Sequence, residues 1–280
     1  MKCYANVLQD WRFILKKFDY RGKVAIITGA SSGIGKCLAH ELITKYSSRV
    51  IGISRGAERL NEARDELGEL FVPFPMDASL NEEWLRLREY LEKTDTCPDI
   101  LINCAGILPK FEPFLKSGSE RLRQVMDINL MAGAFGCETI MPMMKKGSVV
   151  INISSSSALC PFSLVSAYSA SKAAFERFSE CLACESKDIS VTTILPGFVK
   201  TDIMRDQGAS KKEKGLIDKF SADPSRVAKK ILSKAGRRKK RAVIGFDAHL
   251  MSFLYKLFPN SAPKIISNFL KKSGLELFAQ

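Results

Sequence analysis

Short apolar runs alternate with helix-patterned segments through the first 200 residues of this chain. The runs are continuously apolar, as expected for strands that are buried on both faces of a sheet. The predicted strands are 23–28, 49–54, 71–76, 99–103, 148–154, 190–195 and 242–244. The predicted helices are 34–46, 58–67, 82–93, 119–144, 167–186 and 224–234. This alternation predicts an α/β fold with a doubly wound parallel sheet and helices on both faces.

The 280 residues are enough for one large domain, which we place at residues 21–247. Before it, Trp11, Ile14, Leu15 and Phe18 fall at helical spacing and predict an amphipathic helix over residues 1–20. The lysine-rich residues 207–219 predict a mobile loop or lid. Residues 248–280 are predicted to be a basic, amphipathic helical extension.

The first predicted strand runs into the glycine-rich segment TGASSGIGK, residues 28–36. Glycine lets the backbone turn sharply and approach a ligand closely, and the free N–H groups at a helix start bind a pyrophosphate. Following the first strand of an α/β pattern, this G-x3-G-x-G segment predicts a Rossmann-like dinucleotide site. The cofactor contacts expected from it are Gly29, Ser31, Ser32, Gly33, Ile34 and Gly35.

Four further motifs follow the glycine-rich segment in a fixed order. They are NCAG at 103–106, a fifth strand ending in serines 154–157, YSASK at 168–172 and LPGFVKT at 195–201. Together, over residues 22–245, these motifs resemble those of the short-chain dehydrogenase/reductase family, and the resemblance implies a nicotinamide-dependent oxidoreductase. NCAG departs from the family's usual Asn-Asn-Ala-Gly at Cys104. We expect Cys104 to support the sheet centre without affecting the chemistry.

The resemblance implies a catalytic set of Asn129, Ser155, Tyr168 and Lys172. A phenol with a pKa near 10 is a poor acid at neutral pH, and a nearby ammonium group, together with the positive nicotinamide of the oxidised cofactor, stabilises its phenolate form. Lys172 lies one helical turn from Tyr168 and is expected to lower the pKa of the phenol in this way. Asn129 is expected to hold a water that links Lys172 to solvent.

The hydroxyl that fixes the carbonyl oxygen lies, in the family, about thirteen residues before the tyrosine. That position is Ser155, with Ser154 and Ser156 as adjacent alternatives at the same strand end.

The second predicted strand ends in ISRGAERL, where dinucleotide folds meet the adenosine ribose. Ser54 stands where NAD-dependent members of the family carry aspartate. Arg55 follows it, where NADP-dependent members carry a basic residue, and Arg59 is one helical turn further on. We therefore predict NADP(H). The remaining cofactor contacts implied by the resemblance are Asp77, Asn103, Ala105, Gly106, Tyr168, Lys172, Pro196, Gly197, Val199 and Thr201, the last of which holds the nicotinamide amide.

Other reaction classes lack the residues they need. Cys181 and Cys184 form the one close cysteine pair, and the chain's two histidines, His40 and His249, do not complete a zinc site with it, so no metal is predicted. No motif places a histidine to activate a serine, which excludes a serine hydrolase. The scattered cysteines favour a reducing compartment, and no apolar run reaches the ~20 residues of a spanning helix. A cytoplasmic location is expected.

The basic charge is concentrated near the C-terminus. Residues 201–280 hold 18 Lys+Arg against 7 Asp+Glu, a net +11 out of +13 for the chain. Two apolar stripes lie among these charges: 253, 254, 257 and 258, and 265, 266, 269 and 270. The tail is expected either to pack on the substrate cleft and a dimer partner or to lie on an anionic membrane surface. It lacks the aromatic–basic interleaving of nucleic-acid stacking platforms, so no nucleic-acid partner is predicted.

These observations predict NADPH-dependent, reversible reduction of a ketone to a secondary alcohol. The apolar lid and tail suggest a bulky lipophilic substrate, such as a steroid or a long-chain keto compound, and we expect a homodimer or homotetramer. One alternative is a 3-ketosphinganine-type reductase, because the NCAG motif and the tail also resemble those of such enzymes. The other is a non-catalytic NADP-binding interaction protein.

Overall fold

The computed structural model describes residues 17–205 and 221–272. Its centre is one parallel sheet of seven strands in the order β3-β2-β1-β4-β5-β6-β7. The strands are β1 (Val24–Thr28), β2 (Arg49–Ser54), β3 (Phe71–Pro75), β4 (Ile100–Asn103), β5 (Val149–Ile153), β6 (Ser190–Pro196) and β7 (Arg241–Ile244). All seven predicted strands are therefore confirmed, with ends that differ by at most one residue.

Ten α-helices and one π-helical turn accompany the sheet in the described part of the chain. The α-helices are α1 (Gly33–Tyr46), α2 (Ala57–Leu67), α3 (Asn81–Lys93), α4 (Phe114–Met126), α5 (Ala132–Ile140), α6 (Ser166–Glu185), α7 (Asp202–Arg205), α8 (Pro224–Gly236) and α9 (Phe246–Leu257), followed by a further helix, α10 (Ala262–Lys272). Helices α1, α2 and α8 cover one face of the sheet, and α3, α5 and α6 cover the other. This is a Rossmann-like, doubly wound sheet, as predicted.

The strand order reverses between β1 and β4. Strands β2 and β3 extend from one side of β1, whereas β5, β6 and β7 extend from the far side of β4. The loops that leave the carboxyl ends of β1 and β4 therefore turn in opposite directions and leave a crevice between them. The glycine-rich segment follows β1, so it lies at this crevice.

The predicted long helix at 119–144 is divided in the structure. Gly118 is non-helical within α4, and a π-helical turn, Asp127–Met131, joins α4 to α5. Periodicity alone does not reveal such a turn, because it adds one residue without ending the helix. Asn129 lies in this turn.

Of the predicted N-terminal helix, residues 1–16 lie outside the described residues. Residues 17–20 are not helical. The Phe18 N–H donates to the Gly236 carbonyl at 2.7 Å, and the Tyr20 hydroxyl donates to the Leu232 carbonyl at 2.8 Å. This segment is therefore extended and pinned to α8. The predicted lid at 207–219 also lies outside the described residues.

Candidate active site

A cleft of about 590 Å³ opens at the carboxyl ends of the strands, and the glycine-rich segment forms part of its wall. Nearly all of the predicted cofactor contacts line it. These are Gly29, Ser31, Ser32, Gly33, Ile34, Gly35, Ser54, Arg55, Asp77, Ala105, Gly106, Tyr168, Lys172, Pro196, Gly197, Val199 and Thr201. The segments that carry these residues are far apart in the sequence, and the parallel sheet brings their strand ends to one edge.

Two glycines show how tightly the phosphate-type loop is folded. A Cβ on Gly35 would lie 2.2 Å from the Gly29 carbonyl oxygen, so the loop closes directly on the first turn of α1. Gly33 has φ +52°, and a Cβ there would lie 3.0 Å from Thr201 Cγ2 across the cleft. Among the described residues, no side chain caps α1 at Ser32. The N–H groups of this turn can therefore receive a phosphate.

The side chain of Asn103 points into the sheet and not into the cleft, and its predicted contact with the cofactor stays a prediction. It is 3% exposed, and its Nδ2 donates to Asn152 Oδ1 at 2.8 Å on the neighbouring strand β5. Side chains alternate across a strand, and Asn103 faces the layer of α5, where its Nδ2 also approaches the Gly133 carbonyl at 3.3 Å. Asn103 therefore supports the centre of the sheet.

The next residue, Cys104, packs against the sheet core as expected and also lines the cleft. Its N–H and that of Ala105 both donate to Thr28 Oγ1 at 3.0 Å. Burial raises the pKa of the Cys104 thiol to about 11, so the thiol is neutral. Asn103 and Cys104 therefore face opposite sides of the sheet, as the alternation of side chains predicts.

Tyr168, Lys172 and Ser155 meet at the inner end of the cleft. The Ser155 hydroxyl lies close enough to the Tyr168 phenol to lower its pKa, and it accepts a hydrogen bond from the Ser157 N–H at 3.2 Å. Lys172 Nζ lies 5.9 Å from the centre of the Tyr168 ring and donates to the Ile153 carbonyl at 3.0 Å. Both residues project from α6 as the i,i+4 spacing predicts.

The adjacent serines have other partners. Ser154 Oγ donates to the Lys172 carbonyl at 2.7 Å and is buried beneath α6. Ser156 is buried in the short 3₁₀ turn that follows Ser155. Of these three hydroxyl groups, the one that meets Tyr168 is that of Ser155.

Burial dominates the electrostatics of this group. It raises the pKa of Tyr168, and the neighbouring Ser155 hydroxyl opposes that effect. It also lowers the pKa of Lys172 from 10.5 to about 8. Among the protein's own groups the net shift of the Tyr168 pKa is therefore upward, and the lowering expected from Lys172 together with the oxidised nicotinamide stays a prediction. The ammonium group lies over the ring and bonds to a carbonyl, so desolvation of the phenol outweighs its effect.

Asn129 lies behind the cleft, and its side chain is fully engaged. Its Nδ2 donates to the Ile107 carbonyl and to Ser171 Oγ, each at 3.0 Å, and its Oδ1 accepts from the Ile107 N–H at 2.8 Å. A Cβ on Gly106 would lie 3.2 Å from both Asn129 Oδ1 and Lys172 Nζ. Asn129 therefore fixes the loop after β4 next to the lysine. A water held by Asn129 stays a prediction.

The adenosine end of the cleft is formed by the ends of β2 and β3. Arg55 and Arg59 are exposed side chains on its wall, next to Ser54. Asp77, on the β3 side, accepts hydrogen bonds from the Ser79 N–H at 2.9 Å and the Ser79 hydroxyl at 2.7 Å. This end can therefore offer two guanidinium groups to an anionic ligand.

An apolar wall beside Tyr168 was missed by the sequence analysis. Leu108, Phe111, Phe162, Val165, Phe198 and Ile203 line the cleft there. These side chains come from several separate segments of the chain, and no periodic sequence pattern links them. Phe198 could have been predicted as a cleft residue, because it lies inside the LPGFVKT motif.

Asp247 was also missed, and it holds the loop that carries Phe198. Its Oδ2 accepts a 2.6 Å hydrogen bond from the Phe198 N–H. A Cβ on Gly197 would overlap this carboxylate. The contact joins the first turn of α9 to the loop after β6, across 49 residues of sequence.

Within 17–205 and 221–272, no group of three or more His, Cys, Asp or Glu side chains could hold a metal ion. No helix in these ranges has the length and apolar character needed to cross a membrane.

Comparisons with known proteins agree with this geometry. The model of the short chain dehydrogenase family matches residues 23–212. An Arabidopsis thaliana protein named 11-beta-hydroxysteroid dehydrogenase-like 2 is 33% identical over 258 residues, covering 89% of this chain and 80% of the relative. A Rattus norvegicus very-long-chain 3-oxoacyl-CoA reductase is 30% identical over 213 residues, covering 72% of this chain and 65% of the relative.

A solved structure is also similar. It is the closed form of a serine dehydrogenase complexed with NADP+, with a TM-score of 0.72 and 24% identity, covering 79% of this chain and 94% of that one. At this identity the likeness concerns the fold. The chain spans between 34% and 80% of the lengths of the relatives it matches.

Proposed function

The chain belongs to the short-chain dehydrogenase/reductase family of oxidoreductases acting on CH–OH groups, and we propose that it reduces a ketone to a secondary alcohol with NADPH. The observation that carries this proposal is that Tyr168 and Ser155 lie as a pair at the inner end of the cleft. Lys172 is buried beside the pair, and the glycine-rich segment lines the same cleft. A dinucleotide bound on that segment would share one cavity with a proton donor.

The residues divide the proposed reaction between them. When bound, the cofactor supplies a hydride to the carbonyl carbon. Ser155 and Tyr168 offer two neighbouring hydroxyl groups to the carbonyl oxygen, and the phenol gives its proton to that oxygen as negative charge develops. The ketone is reduced, the cofactor is oxidised and Tyr168 is left as phenolate. The charge on Lys172 helps to hold that phenolate until a proton returns.

The proposed preference for NADP(H) depends on the adenosine end of the cleft. Ser54 leaves the end of β2 without a carboxylate that would repel a 2′-phosphate. Arg55 and Arg59 supply guanidinium groups that favour that phosphate. Asp77, on the other side of the cleft, accepts a hydrogen bond from the Ser79 hydroxyl.

The proposed substrate is a bulky, lipophilic ketone. The wall beside Tyr168 is apolar and aromatic, and such a surface gains affinity by removing hydrocarbon from water. The relatives named for a hydroxysteroid and for very-long-chain 3-oxoacyl-CoA agree with this substrate class. A 3-ketosphinganine-type reductase stays within it. The homodimer or homotetramer expected from the sequence stays a prediction.

A panel of steroid ketones and long-chain keto compounds, assayed by NADPH oxidation, tests the proposal. Tyr168→Phe should lower turnover by about 10²–10⁴-fold, because the proton donor is lost. Binding of NADPH, measured by fluorescence titration, should persist. Tyr90→Phe, on α3 and away from the cleft, is the matched control and should stay active.

Two results would contradict the proposal. A fully active Tyr168→Phe protein would rule out the assigned proton donor. A native chain that binds NADPH but turns over no member of the panel would favour the non-catalytic NADP-binding alternative.

A further inference from the structure

The two C-terminal helices expose a row of large apolar side chains. On α9 they recur at helical spacing on one side, and α10 adds two more. We name this set the outer tail face; it consists of Phe246, Leu250, Phe253, Leu257, Ile265 and Phe269. Phe246 is 85% exposed and Phe269 is 68% exposed. Soluble monomers seldom expose apolar surface in such concentration without a binding role.

Other positions of the same helices are packed on the fold. Ala248 and Met251 of α9 are buried, as are Ala262 and Leu270 of α10. Ser267 Oγ accepts a 3.0 Å hydrogen bond from the Ser163 N–H, which ties α10 to the loop before α6. The tail therefore has one face that holds it in place and a second, outward face that its own packing does not use.

Basic charge accompanies the outer tail face. Lys256, Lys264, Lys271 and Lys272 are all exposed. Across residues 246–272 the one acidic residue is Asp247, whose carboxylate accepts the Phe198 N–H. The surface is therefore apolar and cationic together, as in helices that lie in the interface of an anionic bilayer.

We propose that the outer tail face docks on an anionic membrane surface. Its apolar side chains would enter the acyl boundary while the four lysines contact lipid headgroups. A second copy of this chain is a poorer occupant, since a two-fold contact through this face would bring two sets of four lysines together without carboxylates to balance them.

Docking would also set the position of the catalytic cleft. Ile266 and Leu270, on the inner side of α10, pack in the apolar cluster that contains Phe111, Phe162 and Tyr168. One helix thus contacts the membrane on one side and the substrate wall on the other. A lipophilic ketone would reach the cleft from the bilayer without crossing much water. This delivery rests on the proposed function, whereas the docking does not.

Vesicle sedimentation of the full chain tests the docking. We expect the protein to sediment with phosphatidylcholine vesicles containing about 30% phosphatidylserine at about 50 mM salt, and much less at about 500 mM. Pure phosphatidylcholine vesicles should retain little of it. The assay needs no turnover, so its failure would leave ketone reduction untouched, and an inactive enzyme would leave docking untouched.

Two paired variants separate the apolar and the charged contributions. Phe253→Ser with Phe269→Ser should weaken the partition coefficient by about a hundredfold. Lys264→Gln with Lys271→Gln should weaken it by about thirtyfold and flatten its salt dependence. The matched control is Leu85→Ser, which removes a 50% exposed leucine on α3 and should change nothing. All these side chains are exposed, so the thermal midpoint should hold.

Three results would overturn the proposal. One is an intact protein that never sediments with anionic vesicles. A second is binding that neither paired variant reduces. The third is a change of oligomeric state in the phenylalanine variant, seen by light scattering without vesicle binding of the parent, which would assign this face to a second copy.

Discussion

Lys172 offers a direct test of the electrostatics at the inner end of the cleft. Lys172 is 4% exposed, and burial lowers the pKa of its side chain from 10.5 to about 8. Replacing it by methionine keeps most of the buried hydrocarbon and removes the charge. We expect Lys172→Met to lose ketone reduction by about a hundredfold or more. Its free energy of unfolding should respond to pH differently from that of the parent.

The expected size of this response follows from the two pKa values. Between pH 8 and 10.5 the unfolded chain keeps the proton that folded Lys172 has lost, so the parent gains stability as pH rises. The lowered pKa of Lys172 costs the folded parent about 3 kcal/mol at pH 7 but only about 1 kcal/mol at pH 9.5, where the unfolded lysine has also begun to lose its proton. The variant has no lysine at this position and therefore no such cost. The stability difference, variant minus parent, should therefore shrink by about 2 kcal/mol over this range.

Urea unfolding of both proteins at pH 7 and pH 9.5 measures this change. The hydrogen bond from Lys172 to the Ile153 carbonyl contributes at both pH values, so its loss largely cancels in the comparison. Tyr168 is present in both proteins. Lys230→Met, at an exposed position in α8, is the matched control and should show no pH-dependent difference. A Lys172→Met difference that is the same at both pH values would refute the argument that burial has shifted this lysine.

Two further predictions concern the ends of the cleft. Arg55→Ala should weaken the binding of NADPH by about ten- to a hundredfold, because a charge-assisted hydrogen bond is worth about 1.5–3 kcal/mol. The binding of NADH should barely change. Native protein that binds NADH more tightly than NADPH would contradict this prediction. Asp247→Ala leaves the Phe198 N–H without its acceptor, so urea unfolding should show a loss of about 1–3 kcal/mol. NADPH titration should also show weaker binding, because the loop loses its anchor. Unchanged stability and affinity would show that Asp247 does not position this loop.

Much of the fold could be predicted from local sequence patterns. A buried parallel strand needs a continuous apolar run, and all seven runs became strands. The loop after β1 closes so tightly that a Cβ on Gly35 would overlap the Gly29 carbonyl oxygen. Only glycine fits there, so the loop could be predicted from its glycines. The i,i+4 spacing of Tyr168 and Lys172 predicted that both would project from one side of a helix. Each of these patterns reflects geometry within a few residues.

The remaining properties were decided by contacts between distant segments. Asn103 bonds to Asn152 on the neighbouring strand and Cys104 reaches the cleft, and these positions depend on how β4 packs against β5 and the β1 loop. Asp247 reaches the Phe198 N–H across 49 residues, and no local pattern records that contact. The sequence placed a phenol beside an ammonium group, but the tertiary structure buried both. Because removing a charge from water outweighs a modest attraction, burial sets the direction of both pKa shifts.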